Sequence, residues 1–307
     1  MSRRPAWWSW LAALQGLLLA GLLAGVLASA PARAQPVELR DDRGATLRLA
    51  APPQRIVSLL PSFTESLCAL GACGRLVGVD RYSDWPASVR SLPQLGGLED
   101  ANIERTVALR PDVVVAARSA RVTERLEALG MTVLVLDSDT HADVQRSLLL
   151  LARLLGTPER GVALWQQLQR EIGEAAARVP PRYRGSAVYF EVESSPYAAG
   201  AASFIGQTLQ QLGLGNIVPA ALGPFPKLNP EFVVRAQPAL VMAVQHELAG
   251  MAARPGWAGM AALRQGQVCG FERPRYEVLV RPGPRMGEAA RLVVDCLVAL
   301  PAGGGRP

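Results

Sequence analysis

The stretch Asn102-Ile-Glu-Arg-Thr-Val-Ala-Leu-Arg-Pro111-Asp-Val-Val-Val-Ala116 decides the fold reading. It encodes a short helix, a proline that stops it, and a continuous apolar run suited to a strand buried on both faces. The same unit returns 127 residues later as Asn229-Pro-Glu-Phe-Val-Val-Arg-Ala-Gln-Pro238-Ala-Leu-Val-Met-Ala243, where six of fifteen positions agree. Shared helix–strand chemistry is the alternative source of that match. Read as a repeat, it predicts two halves built on one plan.

Strand and helix alternate outward from the first copy. Arg55-Ile-Val-Ser-Leu-Leu60 is apolar and β-branched, and Pro61-Ser-Phe-Thr-Glu65 follows as a turn and helix start. Leu76 to Val79, Val113 to Ala116 and Thr132 to Leu136 read as further strands. From Ala142 to Val179 no convincing strand occurs, and the only break is Gly156-Thr-Pro-Glu159. Thr157 is the predicted N-cap, with Pro158 at the first helical position. The helix that follows carries Val162, Trp165, Leu168, Ile172 and Ala176 on one face. At about 1.5 Å per residue it is roughly 30 Å long, enough to join two lobes. Ala187 to Val192, Leu240 to Val244 and Gln267 to Phe271 then restart the alternation. The fold class is α/β, with two Rossmann-like lobes joined by a single long backbone helix. The expected boundaries are 35–155 for the first lobe, 156–182 for the linking helix, 183–300 for the second lobe and 301–307 for a disordered tail.

The first 34 residues stand apart. Arg3 and Arg4 precede an uncharged run from Trp7 to Ala32, and Ala32-Arg-Ala34 supplies small residues at cleavage-site spacing. This reads as a secretory signal peptide, cleaved on export, with a retained membrane anchor as the alternative. No cysteine follows the apolar run before Cys68, which argues against lipid attachment at a processed N-terminal cysteine. Without Arg3, Arg4 and Arg33 the formal charge falls from +6 to +3, too little to imply a nucleic-acid partner. The whole chain has 307 residues, 50% apolar and 19% charged, the balance of a folded protein of one or two domains.

Catalytic spacings are missing. The chain has no G-x-S-x-G, no P-loop, no G-x-G-x-x-G after a strand and no C-x-x-C, so enzyme readings lose weight. His141 and His246 are the only imidazoles, which excludes a many-histidine metal site; both read as solvated or helix-capping residues. Four cysteines in an exported chain favour disulfides. Of three possible pairings, Cys68 with Cys73 and Cys269 with Cys296 is the expected one, and buried free thiols are the alternative.

Seven motifs carry a family resemblance. They are Ser58-Leu-Leu-Pro-Ser-Phe-Thr-Glu65, Gly78-Val-Asp-Arg-Tyr-Ser-Asp-Trp-Pro86, Asn102-Ile-Glu104 to Asp112, Ser203-Phe-Ile-Gly206, Asn229-Pro-Glu231 to Pro238, Arg254-Pro-Gly-Trp257 and Arg281-Pro-Gly-Pro-Arg285. Together they resemble the helical-backbone (class III) periplasmic substrate-binding proteins of ABC importers, especially those for cobalamin, from Arg55 to Leu300. The resemblance implies rigid lobes, a ligand held in the cleft between them, and little hinge closure. It implies cleft-facing roles for Tyr82, Trp85, Tyr197, Glu277 and Arg281. Aromatic faces there suit a flat, largely apolar macrocycle with a polar rim. Leu98 and Ala117 stand where the cobalamin receptors place tryptophans, which keeps haem or a ferric siderophore as the alternative ligand. Tyr82 is a possible ligand to haem iron. No carboxylate and tyrosine cluster suits a bare ferric ion.

The resemblance also implies that Glu104 and Glu231, matched across the repeat, dock onto arginines of the two permease subunits. The alternative is that each merely favours the first turn of its helix. The expectation is therefore a monomeric periplasmic receptor with no metal site and no intrinsic cofactor. It would carry cobalamin or a related corrinoid to an inner-membrane ABC permease dimer, without chemistry of its own.

Overall fold

The computed structural model describes residues 36–194 and 196–301. The predicted signal peptide and residues 302–307 of the expected tail lie outside the described residues. No helix among the described residues is long and apolar enough to cross a membrane.

Val37 and Leu39 point inward while Glu38 and Arg40 point out, so β1 (Val37–Arg40) and β2 (Thr46–Leu49) form an antiparallel hairpin that covers part of the first lobe's core. That lobe continues through β3 (Ile56–Ser58), α1 (Pro61–Ala69), β4 (Leu76–Val79), α2 (Ile103–Ala108), β5 (Val113–Ala117), α3 (Thr123–Ala128) and β6 (Val133–Leu136). Its four strands are parallel and ordered β4-β3-β5-β6. All five residues of β5 are buried, because apolar side chains cover both faces of the sheet.

Two helices connect the lobes. α4 (His141–Leu154) starts in a capping box: the Asp143 amide donates to the Thr140 hydroxyl at 3.1 Å, and the Thr140 amide donates to the Asp143 carboxylate at 3.0 Å. α5 (Pro158–Ala177) is the expected long helix, but Thr157 does not cap it; its buried hydroxyl has no partner. Gly161, Leu168, Ile172 and Ala175 are its buried positions, whereas Val162, expected on the apolar face, is exposed. Gly161 lets the two helices cross closely, since a Cβ there would lie 2.7 Å from that of Ala152.

The second lobe runs through β7 (Ala187–Glu193), β8 (Tyr197–Ala198), α6 (Phe204–Gln211), β9 (Gly215–Asn216), α7 (Pro230–Ala236), β10 (Leu240–Val244), α8 (Gln245–Met251), α9 (Ala261–Arg264), β11 (Val268–Phe271), α10 (Arg273–Leu279) and α11 (Met286–Ala299). Strands β9-β7-β10-β11 are parallel in the order of the first lobe, and the short β8 adds antiparallel to β7. α5 packs against α4 on one side and α11 on the other, so its apolar stripe belongs to the second lobe's core.

The repeat extends to the backbone. β5 and β10 start and end 127 residues apart. Asn102 and Asn229 each cap a helix by accepting a backbone N–H, from Arg105 at 2.8 Å and from Glu231 at 2.9 Å. Among the described residues, the two non-glycine positions with positive φ are Arg110 (45°) and Gln237 (42°), again 127 apart. Each reverses the chain between helix and strand. The expected disulfides are both formed, Cys68 with Cys73 across a Cα separation of 4.3 Å and Cys269 with Cys296 across 5.9 Å.

Candidate functional site

The central neighbours are β3 and β5 in the first sheet and β7 and β10 in the second, each pair a switch point at which loops leave in opposite directions and open a crevice beyond the strand ends. A cavity of about 760 Å³ occupies that position between the lobes. The first lobe supplies the residues that follow β3 (Leu60, Pro61, Ser62), β5 (Arg118, Ser119) and β6 (Asp137, Ser138, Asp139). The second lobe supplies Val192, Phe204, Ile205, Phe225, Val280, Arg281 and Pro282. The first-lobe wall carries most of the polar groups, mixed with Leu60, Pro61, Ala117 and Leu136, and the second-lobe wall is apolar apart from Arg281. The size and the few convergent polar groups are those of a small-molecule site.

A second cavity of about 440 Å³ shares Leu60 and Pro61 with the first and is otherwise lined by Leu59 and by residues 80–82 and 97–100. Tyr82 lies here, 61% exposed. Its loop is fixed from below: the Tyr82 amide donates to the Asp80 carboxylate at 2.7 Å, and the Ser83 hydroxyl donates to the same group. Burial pushes the Asp80 carboxyl above the usual carboxylate range, opposed by the Ser83 and Tyr82 hydrogen bonds and by the charge of Arg281.

Arg281 joins the lobes. Its guanidinium, almost wholly buried, donates to Glu65 at 2.9 Å, to Asp84 at 2.7 Å, to Glu277 at 2.9 Å and to the Tyr82 carbonyl at 3.1 Å. Arg285 grips Glu65 with two further bonds at 2.9 and 2.7 Å and lies 4.8 Å over the Trp85 ring. Of the residues expected to face the ligand, Arg281 thus lines the large cavity and Tyr82 the adjoining one. Trp85 stacks on Arg285 and Glu277 pairs with Arg281; neither is among the lining residues of these two cavities, nor is Tyr197, whose ring faces Lys227. Ala117 and Leu98, the positions without tryptophan, each line one cavity.

Sequence reasoning passed over the apolar wall and the Arg118–Asp137 pair. Phe204 and Ile205 sit inside the motif Ser203 to Gly206, and Arg118 directly follows β5, so strand-end position was the signal available. Arg118 is held in a fork by Asp137, at 2.9 and 2.7 Å. His141, expected solvated or capping, is buried: its Nε2 lies 2.9 Å from the Thr208 hydroxyl and 3.2 Å from the Phe204 carbonyl, and burial lowers its pKa. His246 is exposed. Among the described residues no cluster of three or more His, Cys, Asp or Glu is placed to hold a metal. Glu104 and Glu231 are both exposed in the first turns of α2 and α7.

Comparison with known proteins gives a consistent result. The profile of a family described as periplasmic binding protein matches residues 56–272. A vitamin B12-binding protein of Pectobacterium atrosepticum is 30% identical over 205 residues, covering 62% of this chain and 72% of its own. The crystal structure of the periplasmic vitamin B12-binding protein of Vibrio cholerae superposes with a TM-score of 0.66 at 24% identity, over 80% of this chain and 97% of its own. A periplasmic heme-binding protein from Roseiflexus sp. RS-1 superposes with a TM-score of 0.67 at 25% identity, with the same coverages.

Proposed function

The chain belongs to the periplasmic binding protein family, and on that premise we propose that it captures cobalamin, or a related corrinoid, and delivers it to an ABC importer. The observation that carries this reading is the interlobe cavity, largely apolar on the second-lobe wall and mixed polar and apolar on the first-lobe wall, which suits a flat macrocycle with a hydrogen-bonding rim. The resemblance to vitamin B12-binding relatives supports the same ligand. Haem is the second reading, favoured by the exposed Tyr82 beside the adjoining cavity and by the heme-binding neighbour; a ferric siderophore is a further member of that alternative. Whichever is bound is cargo, not a resident cofactor.

Within this reading Tyr82 and Arg281 contact the ligand, and Trp85 and Glu277 hold the arginines in place. Tyr197, in the short strand β8 with its ring beside Lys227, is the second-lobe aromatic of this reading. Glu104 and Glu231 are the docking feet for a permease dimer. Residues 1–34 direct export to the periplasm and are then removed, and the mature receptor works as a monomer.

The test is the visible spectrum of the protein purified from its native periplasm without added ligand. Corrinoid bands are expected. A haem Soret band would replace the first reading with the second.

A further inference from the structure

The charges of the cleft are not balanced evenly. Arg118 is already held by Asp137, and Arg281 by Glu65, Asp84 and Glu277, so both cationic groups of the lining have carboxylate partners within the protein. Asp143, also in the lining, is engaged by Thr140 and Arg146. Asp139 differs: among the described residues its carboxylate has no hydrogen bond and no ion pair. Its backbone is nonetheless pinned at the junction of the lobes, because the Phe204 amide donates to the Asp139 carbonyl at 2.6 Å. The next residue, Thr140, is locked in the α4 capping box, and the Asp137 carbonyl accepts from the Ser147 hydroxyl at 2.7 Å. Asp139 is thus an exposed acceptor on a pinned backbone, with no donor among the described residues.

We propose that Asp139 sets the selectivity of the cleft, favouring a macrocycle rimmed by carboxamides over one rimmed by carboxylates. A primary carboxamide brings N–H donors to this unpaired carboxylate, and the resulting bonds are charge-assisted. A ligand carboxylate at the same place meets a like charge and finds neither arginine free. Partial desolvation, with the charges of Asp143 and Asp137 beside it, pushes the Asp139 carboxyl above the usual carboxylate range, and another anion there adds to that repulsion. This inference rests on the corrinoid reading and sharpens it, since it separates ligands of one shape by the chemistry of their edge.

The experiment titrates the full-length mature protein with cyanocobalamin and with its b-, d- and e-monocarboxylic acids, each of which turns one rim amide into a carboxylate. The wild type should bind at least one monoacid about tenfold or more weakly than the parent, the size expected for loss of a charge-assisted bond. Asp139→Asn should bring that ratio close to one, and Asp139→Glu, which keeps the charge, should retain it; melting temperatures confirm that both variants fold. Equal binding of parent and all three acids by the wild type overturns the inference, as does a ratio that Asp139→Asn leaves unchanged, while the corrinoid reading stands in either case. Failure of the wild type to bind cyanocobalamin at all removes the corrinoid reading and this inference with it.

Discussion

Glu65 is 1% exposed and receives guanidiniums from two residues of the opposite lobe, Arg281 and Arg285. Removing one member of a buried ionic cluster leaves the others uncompensated, at a cost of about 3–5 kcal/mol. Glu65→Gln should sit at the lower end, because Arg281 keeps Asp84 and Glu277 whereas Arg285 keeps only Glu288 at 4.0 Å. Urea unfolding measures it; a change below about 0.5 kcal/mol, the range of ordinary surface substitutions, contradicts the role. Both ends of this contact stand in the motifs that carry the family resemblance, yet they are 216 residues apart, and no local pattern joins them. His141 was misread for the same reason: its partners Phe204 and Thr208 lie on another element. Because burial lowers its pKa in the folded protein, the unfolded chain takes up the proton more readily. The stability His141 gives is whole above the ordinary histidine pKa, about 6.5, and declines as pH falls below it. Melting temperature should therefore drop on acidification below about pH 6.5, and His141→Gln should remove that component of the slope.

Elements whose signal is local were legible. β4 occupies Leu76–Val79 as read, β5 and β10 fall on their apolar runs, and the long helix begins at Pro158. The hairpin β1–β2 and the two-residue strands β8 and β9 were not, because so few residues carry too little alternation to rise above composition. Thr157 and Val162 failed because a cap and a buried face depend on what the neighbouring helix covers. The disulfides allow a test at this scale. Cys269–Cys296 ties β11 to α11 and spans 27 residues, whereas Cys68–Cys73 spans five. Loop-closure entropy then assigns about 3.5 kcal/mol to the first and about 2 kcal/mol to the second. Replacing each pair by alanines should destabilise in that order, and peptide mapping without reduction should recover both linked pairs from the exported protein. Free, alkylatable Cys68 and Cys73 would refute the short one.

At the scale of the molecule, the repeat made two similar lobes legible, but not the cleft, which is a relation between them. The repeat also sets Glu104 and Glu231 at equivalent helix starts, exposed and, among the described residues, without an ion pair. Reversing both to Arg should leave ligand affinity nearly unchanged and abolish uptake in cells, with a loss larger than either single change, because like charges then meet at both contacts. Folding should survive, since the dipole contribution at an exposed helix start is at most about 1 kcal/mol. Normal import by the double variant would rule out the docking role; poor ligand binding by the purified variant would move these residues to the cleft. The central claim is that the cleft takes one corrinoid, and calorimetric titration of the mature protein with cyanocobalamin tests it most directly. One molecule should bind per chain, and ligand at about 100 times its dissociation constant should raise unfolding stability by about 2.7 kcal/mol. No heat, and no protection against thermal unfolding at ligand far above micromolar, would contradict it.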